Sequence, residues 1–165
     1  SFENYSKSTL MDVLDGNLAG VVLSCREACK QFLAQGFGVI VNVSSVYGNV
    51  GADQRLYQGV ENLYFPDEPF SSPVSYAVSK AGILNLTRYL ASYYRERNIR
   101  VNSLTPGGVY DNHDEKFNRQ YCSRTLLGRM ADKDEYNAAL LFLCSDASSY
   151  MTGANIIVDG GWTAT

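Results

Sequence analysis

Val39-Ile40-Val41-Asn42-Val43-Ser44 is a β-branched run bounded by Gly38 and followed by a second serine, Ser45. A run of this composition reads as a parallel strand buried on both faces. Working outward, Arg100-Val101-Asn102-Ser103-Leu104-Thr105 is a second strand, stopped by Pro106-Gly107-Gly108. Asn155-Ile156-Ile157-Val158 is a third, closed by Asp159-Gly160-Gly161. Helical stretches separate them. Residues 12–32 place Val13, Leu14, Leu18, Val21, Val22, Cys25, Ala28, Cys29 and Phe32 at helical spacing, and Gly36-Phe37-Gly38 ends that segment. Residues 75–97 carry Ile83, Leu86, Leu90 and Tyr94 on one stripe, with Ser75 as the expected N-cap. A third helix is expected at about 133–143. This order predicts an α/β fold, a doubly wound parallel sheet of about three strands with helices on both faces. Three strands make a thin sheet, and the first should have one bare edge.

Composition narrows the function classes. A length of 165 residues is one domain's worth, and 45% hydrophobic with 19% charged residues excludes disordered and collagenous classes. The longest apolar run, 37–43, is strand-sized, so no membrane span is expected, and the N-terminal residues do not read as a signal peptide. A net charge of −3 gives no reason to expect nucleic acid or an anionic membrane as partner. Cys25, Cys29, Cys122 and Cys144 lack the spacing of a zinc or redox site, and read as reduced, mostly buried thiols of a cytoplasmic protein. Residues 49–74 hold three of the four prolines and scattered aromatics, and read as an irregular insertion.

Open α/β sheets bind ligands beyond the carboxyl ends of their strands. Here those ends are Ser44-Ser45 and Pro106-Gly107-Gly108, and the helix between them opens with Tyr76-Ala77-Val78-Ser79-Lys80. Residues four apart share a helix face, with about 5–6 Å between Cβ atoms. A phenol serving as acid and base near neutrality needs its pKa lowered from ~10 by about 3 units, worth about 4 kcal/mol. An ammonium at ~5–6 Å and an effective dielectric of ~20 supplies roughly 3 kcal/mol. The string Tyr-x-x-x-Lys alone occurs by chance about 0.4 times in a chain of this composition, and read alone it is an exposed helix pair. Its place between the two strand ends gives it meaning.

Taken together, these segments resemble the short-chain dehydrogenase/reductase family. The carriers are Asn17-Leu18-Ala19-Gly20, residues 41–48, Tyr76 to Gly82, Arg100 to Gly108, and Thr152-Gly153 with Asp159-Gly160-Gly161, in family order over nearly the whole chain. The resemblance implies a Rossmann-like sheet and an NAD(P)-dependent oxidoreductase interconverting a secondary alcohol and a ketone. It implies a catalytic set of Asn17, Ser45, Tyr76 and Lys80. Tyr76 handles the substrate proton, Lys80 supplies the ammonium and bonds the nicotinamide ribose, Ser45 bonds the substrate oxygen, and Asn17 holds a relay water. Tyr76, Lys80, Pro106, Gly107 and Val109 are the implied contacts to NAD or NADP, and Tyr47, Tyr57 and Gly108 the implied contacts to substrate. Homodimers or homotetramers through the helices at 12–32 and 75–97 are implied as well.

The chain departs from the family pattern in three places. No Gly-rich strand–turn–helix for the pyrophosphate precedes residues 12–32, so the chain is expected to be a single partial domain over 1–165, starting about 90–100 residues late. A catalytically silent fragment or association subunit is the first alternative, and a sugar-nucleotide epimerase or dehydratase the second. Ser45 and Tyr76 lie 31 residues apart, longer than usual, making 46–74 an inserted active-site loop. Its Tyr57, Tyr64 and Phe65 are candidates to stack on a sugar, and its Asp53, Gln54 and Arg55 to bind hydroxyls. Asp111 stands where the family often has a cofactor-binding threonine. Asp111, His113, Asp114 and Glu115 read as a solvated polar loop rather than a metal site, within a substrate lid at 109–131.

Overall fold

A computed structural model describes residues 2–62 and 69–164. Its centre is a three-stranded, all-parallel sheet in the order β1 (Gly38–Val43), β2 (Ile99–Pro106), β3 (Asn155–Val158). β2 pairs with both neighbours, Ile40 lying opposite Val101 and Leu104 opposite Ile156. Among the described residues β1 has β2 as its one neighbour, so its outer edge is bare, as expected.

Side chains alternate across the sheet, and the two faces receive different helices. Ile40, Ile99 and Val101 point to one face, where they pack with Val21 and Cys25 of α2 (Gly20–Gln35) and Leu86 and Leu90 of α4 (Val74–Tyr93). Asn42 follows on that face. Its amide donates to Thr87 Oγ1 at 3.0 Å and its carbonyl accepts from Cys25 Sγ at 3.5 Å, so a buried polar side chain is satisfied between both helices. Arg100 points to the other face. Its guanidinium donates to the carbonyls of Leu143 and Ser145 at the end of α6 (Asn137–Cys144), and to Ser148 Oγ at 3.0 Å. Helices therefore cover both faces, in a Rossmann-like arrangement. Asn102, fully buried, donates to Met151 O and accepts from Ala154 N, which fixes the turn feeding β3.

Boundaries differ from the expectations where the local chemistry is not apolar periodicity. The first helical segment starts at Lys7, not residue 12: α1 (Lys7–Leu14) is capped by Ser6, whose hydroxyl accepts from Thr9 N. α1 runs through a π-helical turn (Asp15–Ala19) directly into α2. Gly36 then terminates α2 at φ 84°, a left-handed conformation that suits glycine. Pro73, not Ser75, is the N-cap of α4, and Ser75 is the buried second residue of the helix, its hydroxyl 2.7 Å from Tyr5 OH. α4 stops at Tyr93, because Glu96 and Asn98 turn the chain with positive φ. The last helix begins at Asn137, four residues later than expected.

The inserted region holds two helical pieces, α3 (Val46–Asn49) and a 3₁₀ turn (Gln54–Tyr57). The polar stretch at 109–131 contains α5 (Glu115–Cys122), unforeseen in the sequence, capped by Asp114 accepting from Lys116 N and Phe117 N. Phe117 and Tyr121 on α5 pack with Val46, Tyr47, Leu56 and Trp162 into a second core beyond the ends of the strands. All four cysteines are free thiols. Cys144 is exposed, contrary to the expectation of burial, because its end of α6 is open to solvent. No helix among the described residues is long and apolar enough to cross a membrane.

Candidate active site

The site grows from the carboxyl ends of β1 and β2. Ser44 N donates to Leu104 O, which extends the β1–β2 pairing by one residue, and Ser44 Oγ donates to Lys80 O at 2.8 Å. Ser45 then turns the chain into α3 as its N-cap, accepting from Tyr47 N at 3.3 Å. Gly48 lets α3 lie against α4. A Cβ there would sit 2.8 Å from the Lys80 carbonyl carbon and oxygen and 2.6 Å from Ser44 Oγ. The serine-bearing turn is thus pressed onto the helix that carries Tyr76 and Lys80.

Tyr76 lies in the first turn of α4 and Lys80 one turn along. The Lys80 ammonium donates to Val43 O at 3.1 Å and lies 5.8 Å from the centre of the Tyr76 ring. Partial burial lowers the Lys80 pKa from its ordinary value. Ser45, Tyr76, Tyr47, Tyr57, Pro106, Gly107 and Gly108 line one cavity of about 330 Å³, so the structure brings these predicted residues together. Gly107 can sit there because a Cβ on it would come within 2.8 Å of Asp159 Cα.

Tyr47 and Tyr57 meet through their hydroxyls at 3.0 Å. Tyr57 also packs edge-on against Phe70 and beside Phe117. Tyr121 was not anticipated. Its hydroxyl accepts from Gly108 N at 2.6 Å, its ring stacks on Trp162, and it forms part of the cavity wall together with Phe70 and Pro73. The signal was present in the sequence, since Phe117 and Tyr121 at i, i+4 follow the capping Asp114. Burial, the largest cause, raises the pKa of Tyr47 and Tyr57 and pushes that of Tyr121 up to about 12. All three are therefore neutral hydroxyls near neutral pH.

Three predicted positions, Asn17, Lys80 and Val109, lie outside the cavity lining. Asn17 is on the π turn, half-buried, and its side chain makes no hydrogen bond to Lys80 among the described residues. The turn itself packs on α4, with Leu18 filling the space beside Gly82. Val109 pairs as a single bridge with Ala131, through Gly108 O and Tyr110 N. Its own N–H and C=O take no hydrogen bond among the described residues, which leaves them free for a ligand.

Asp53, Gln54 and Arg55, expected to bind hydroxyls, are committed within the protein. Asp53 pairs with Arg55 and, at 2.7 Å, with Arg124 of the segment after α5, while Gln54 bonds main-chain atoms of Ser72 in both directions. Asp53 is held at a pKa of about 2, chiefly by its hydrogen bond with Arg55. They tether the insertion rather than offer free polar groups. Tyr64 and Phe65 lie outside the described residues. Asp111 is exposed, His113 accepts from Asp111 N and packs on Phe117, and Glu115 pairs with Arg119.

A family model described as "Enoyl-(Acyl carrier protein) reductase" matches residues 67–163, and one described as "short chain dehydrogenase" matches residues 1–57. The chain is 34% identical over 157 residues to post-translational flagellin modification protein A of Campylobacter coli, covering 95% of the chain and 58% of that protein. It is 36% identical over 155 residues to an NADP-dependent mannitol dehydrogenase of Hypocrea jecorina, covering 92% of the chain and 52% of that protein. Its fold is similar to that of a short chain dehydrogenase from Leptospira borgpetersenii solved with bound NAD+. The TM-score is 0.87 at 36% identity, covering 98% of this chain and 59% of that one. The chain spans a little over half the length of these relatives.

Proposed function

The chain belongs to the short-chain dehydrogenase/reductase family, and from that premise we propose that it forms the catalytic wall of an NAD(P)-dependent oxidoreductase that interconverts a secondary alcohol and a ketone. One observation carries this reading: Tyr76 and Ser45 share a cavity of about 330 Å³, and the Lys80 ammonium lies 5.8 Å from the Tyr76 ring.

In the oxidation direction, the substrate hydroxyl gives its proton to the phenolate oxygen of Tyr76 as the carbonyl forms. The Ser45 hydroxyl donates to that same substrate oxygen and steadies its developing charge. Lys80 stabilises the phenolate. Asn17, on the π turn against α4, anchors the path by which the proton leaves Lys80 for solvent.

The residues present suit a nicotinamide dinucleotide. The unpaired main-chain groups of Val109 match a carboxamide, and Pro106 and Gly107 leave the end of β2 open to a flat ring. Lys80 and Tyr76 would hold the adjoining ribose. A bound nicotinamide supplies the two-electron chemistry, accepting hydride in oxidation and donating it in reduction. Tyr47, Tyr57 and Gly108 would contact the substrate, a sugar or sugar derivative being the leading class, and segment 109–131 would cover it. The four free thiols suit a reducing, cytoplasmic setting. Helices α1, α2 and α4 would supply a homo-oligomer interface.

The test is Tyr76→Phe in the full-length polypeptide. Turnover should fall by about 10²–10⁴-fold, while nicotinamide dinucleotide affinity, measured by calorimetry, falls by no more than about tenfold, the worth of the one ribose hydrogen bond removed. Retained turnover would overturn the assignment.

A further inference from the structure

The cavity beside Tyr76 is rich in hydroxyls and lacks charge. The hydroxyl-bearing residues Ser45, Tyr47, Tyr57, Tyr76 and Tyr121 are among its lining residues, and no Lys, Arg, His, Asp or Glu is. Nearby cations have other roles: Arg124 pairs with Asp53 and lies 5.0 Å over the Trp162 ring, and Lys80 donates to Val43 O and is assigned to Tyr76 and the cofactor ribose rather than to the substrate.

The hydroxyls still have bonding capacity. Tyr47 and Tyr57 share one hydrogen bond and Tyr57 has a second with Ser72, yet among the described residues the pair keeps capacity for a further bond. Tyr121 accepts from Gly108 N and keeps its own proton to donate. These groups match alcohol, ether and carbonyl oxygens. A carboxylate or phosphate drawn in would lose its hydration without gaining a cation, which is far more costly than burying a hydroxyl. The volume of about 330 Å³ is at the small end of the ~300–1,000 Å³ usual for ligand sites.

We infer that the part of the substrate entering this cavity is a small, neutral, hydroxyl-bearing ring or chain. Tyr47, Tyr57 and Tyr121 recognise its oxygens, and any anionic group must remain outside. This inference rests on the proposed alcohol–ketone chemistry and goes beyond it in fixing the charge class.

The full-length polypeptide, with each nicotinamide dinucleotide, is assayed on pairs of compounds matched in shape and differing in charge. Suitable pairs are cis-4-hydroxycyclohexanecarboxamide with cis-4-hydroxycyclohexanecarboxylate, and D-mannitol with D-mannonate. The neutral member should have at least about tenfold higher kcat/KM in every pair turned over. Ser71→Lys, which adds a cation at an exposed position on the cavity wall, should narrow that ratio. Equal or better turnover of the anion by the unmodified enzyme would overturn the inference. If no pair is turned over, calorimetric binding of the same pairs to the enzyme–dinucleotide complex decides, and equal affinity overturns it. A Tyr76→Phe enzyme that keeps its turnover and its preference for the neutral member would instead strike the proton-transfer assignment and leave the charge preference standing.

Discussion

Replacing Gly48 by alanine probes how closely the serine-bearing turn must lie against α4. The added methyl would stand 2.8 Å from the Lys80 carbonyl and 2.6 Å from Ser44 Oγ, where an ordinary contact begins at 3.4 Å. One neighbour is helix backbone and cannot rotate away, so α3 must back off from α4 by about half an ångström or more. Two costs follow. Overpacking of this kind costs about 1–3 kcal/mol, which lowers Tm by about 2–4 °C per kcal/mol for a protein of this size. The same movement carries Ser45, the N-cap of α3, away from Tyr76 and strains the Ser44–Lys80 hydrogen bond of 2.8 Å. Misplacing a catalytic group by ~1 Å costs about 10²-fold, so a smaller movement should cost roughly tenfold in kcat. Urea denaturation gives the first quantity, and initial rates at a temperature where both forms are fully folded give the second. A Gly48→Ala enzyme with unchanged stability and unchanged kcat would refute the argument that this glycine sets the spacing.

Two further outcomes concern stability. Thr87→Val removes the acceptor for the buried amide of Asn42, and the orphaned donor should cost about 1–3 kcal/mol in urea denaturation. A loss under about 0.5 kcal/mol would show that Asn42 is satisfied in another way. Asp53, whose folded pKa is depressed to about 2, contributes stability above its ordinary value near 4 and loses it as pH falls toward 2. Acid titration of stability should therefore be less steep between those values for Asp53→Asn than for the unmodified protein, and identical slopes would count against the Asp53–Arg55 and Asp53–Arg124 contacts.

Apolar composition carried the architecture. The β-branched run at 39–44 became Gly38–Val43, the second strand gained one residue at each end, and Asn155–Val158 matched its expectation. Such residues mark strands because they have nowhere else to go once both faces are covered. Polar determinants were harder to read. α1 is exposed at Met11 and shows no core stripe, so its start rests on one hydroxyl of Ser6. Ser75 resembles a cap until its hydroxyl meets Tyr5, a contact across seventy positions that no local pattern contains. That Tyr76, Lys80 and Ser45 would come close together was legible because their spacing reflects one helix turn and one strand end. Asp53 and Gln54 look free in the sequence because their partners, Arg124 and Ser72, come from other parts of the chain, while Arg55 is held by Asp53 two positions away. Tyr121 was missed because a helix with eight residues, mostly polar, hid a two-residue apolar stripe.

The π turn at Asp15–Ala19 has a consequence for how the first helix tolerates changes in length. Such a turn accommodates one residue more than the regular ladder between its flanks requires. Each residue of an α-helix advances the azimuth by about 100°. Deleting a single residue here would let the ladder close regularly and leave Lys7–Leu14 near its present heading on α4, whereas a deletion within the regular turns of α2 would swing Lys7–Leu14 around the axis by about 100°. The irregularity therefore acts as a phase correction. It lets Lys7–Leu14 and Gly20–Gln35 share one axis although the stretch between them is a residue longer, while Leu18 stays packed beside Gly82 of α4.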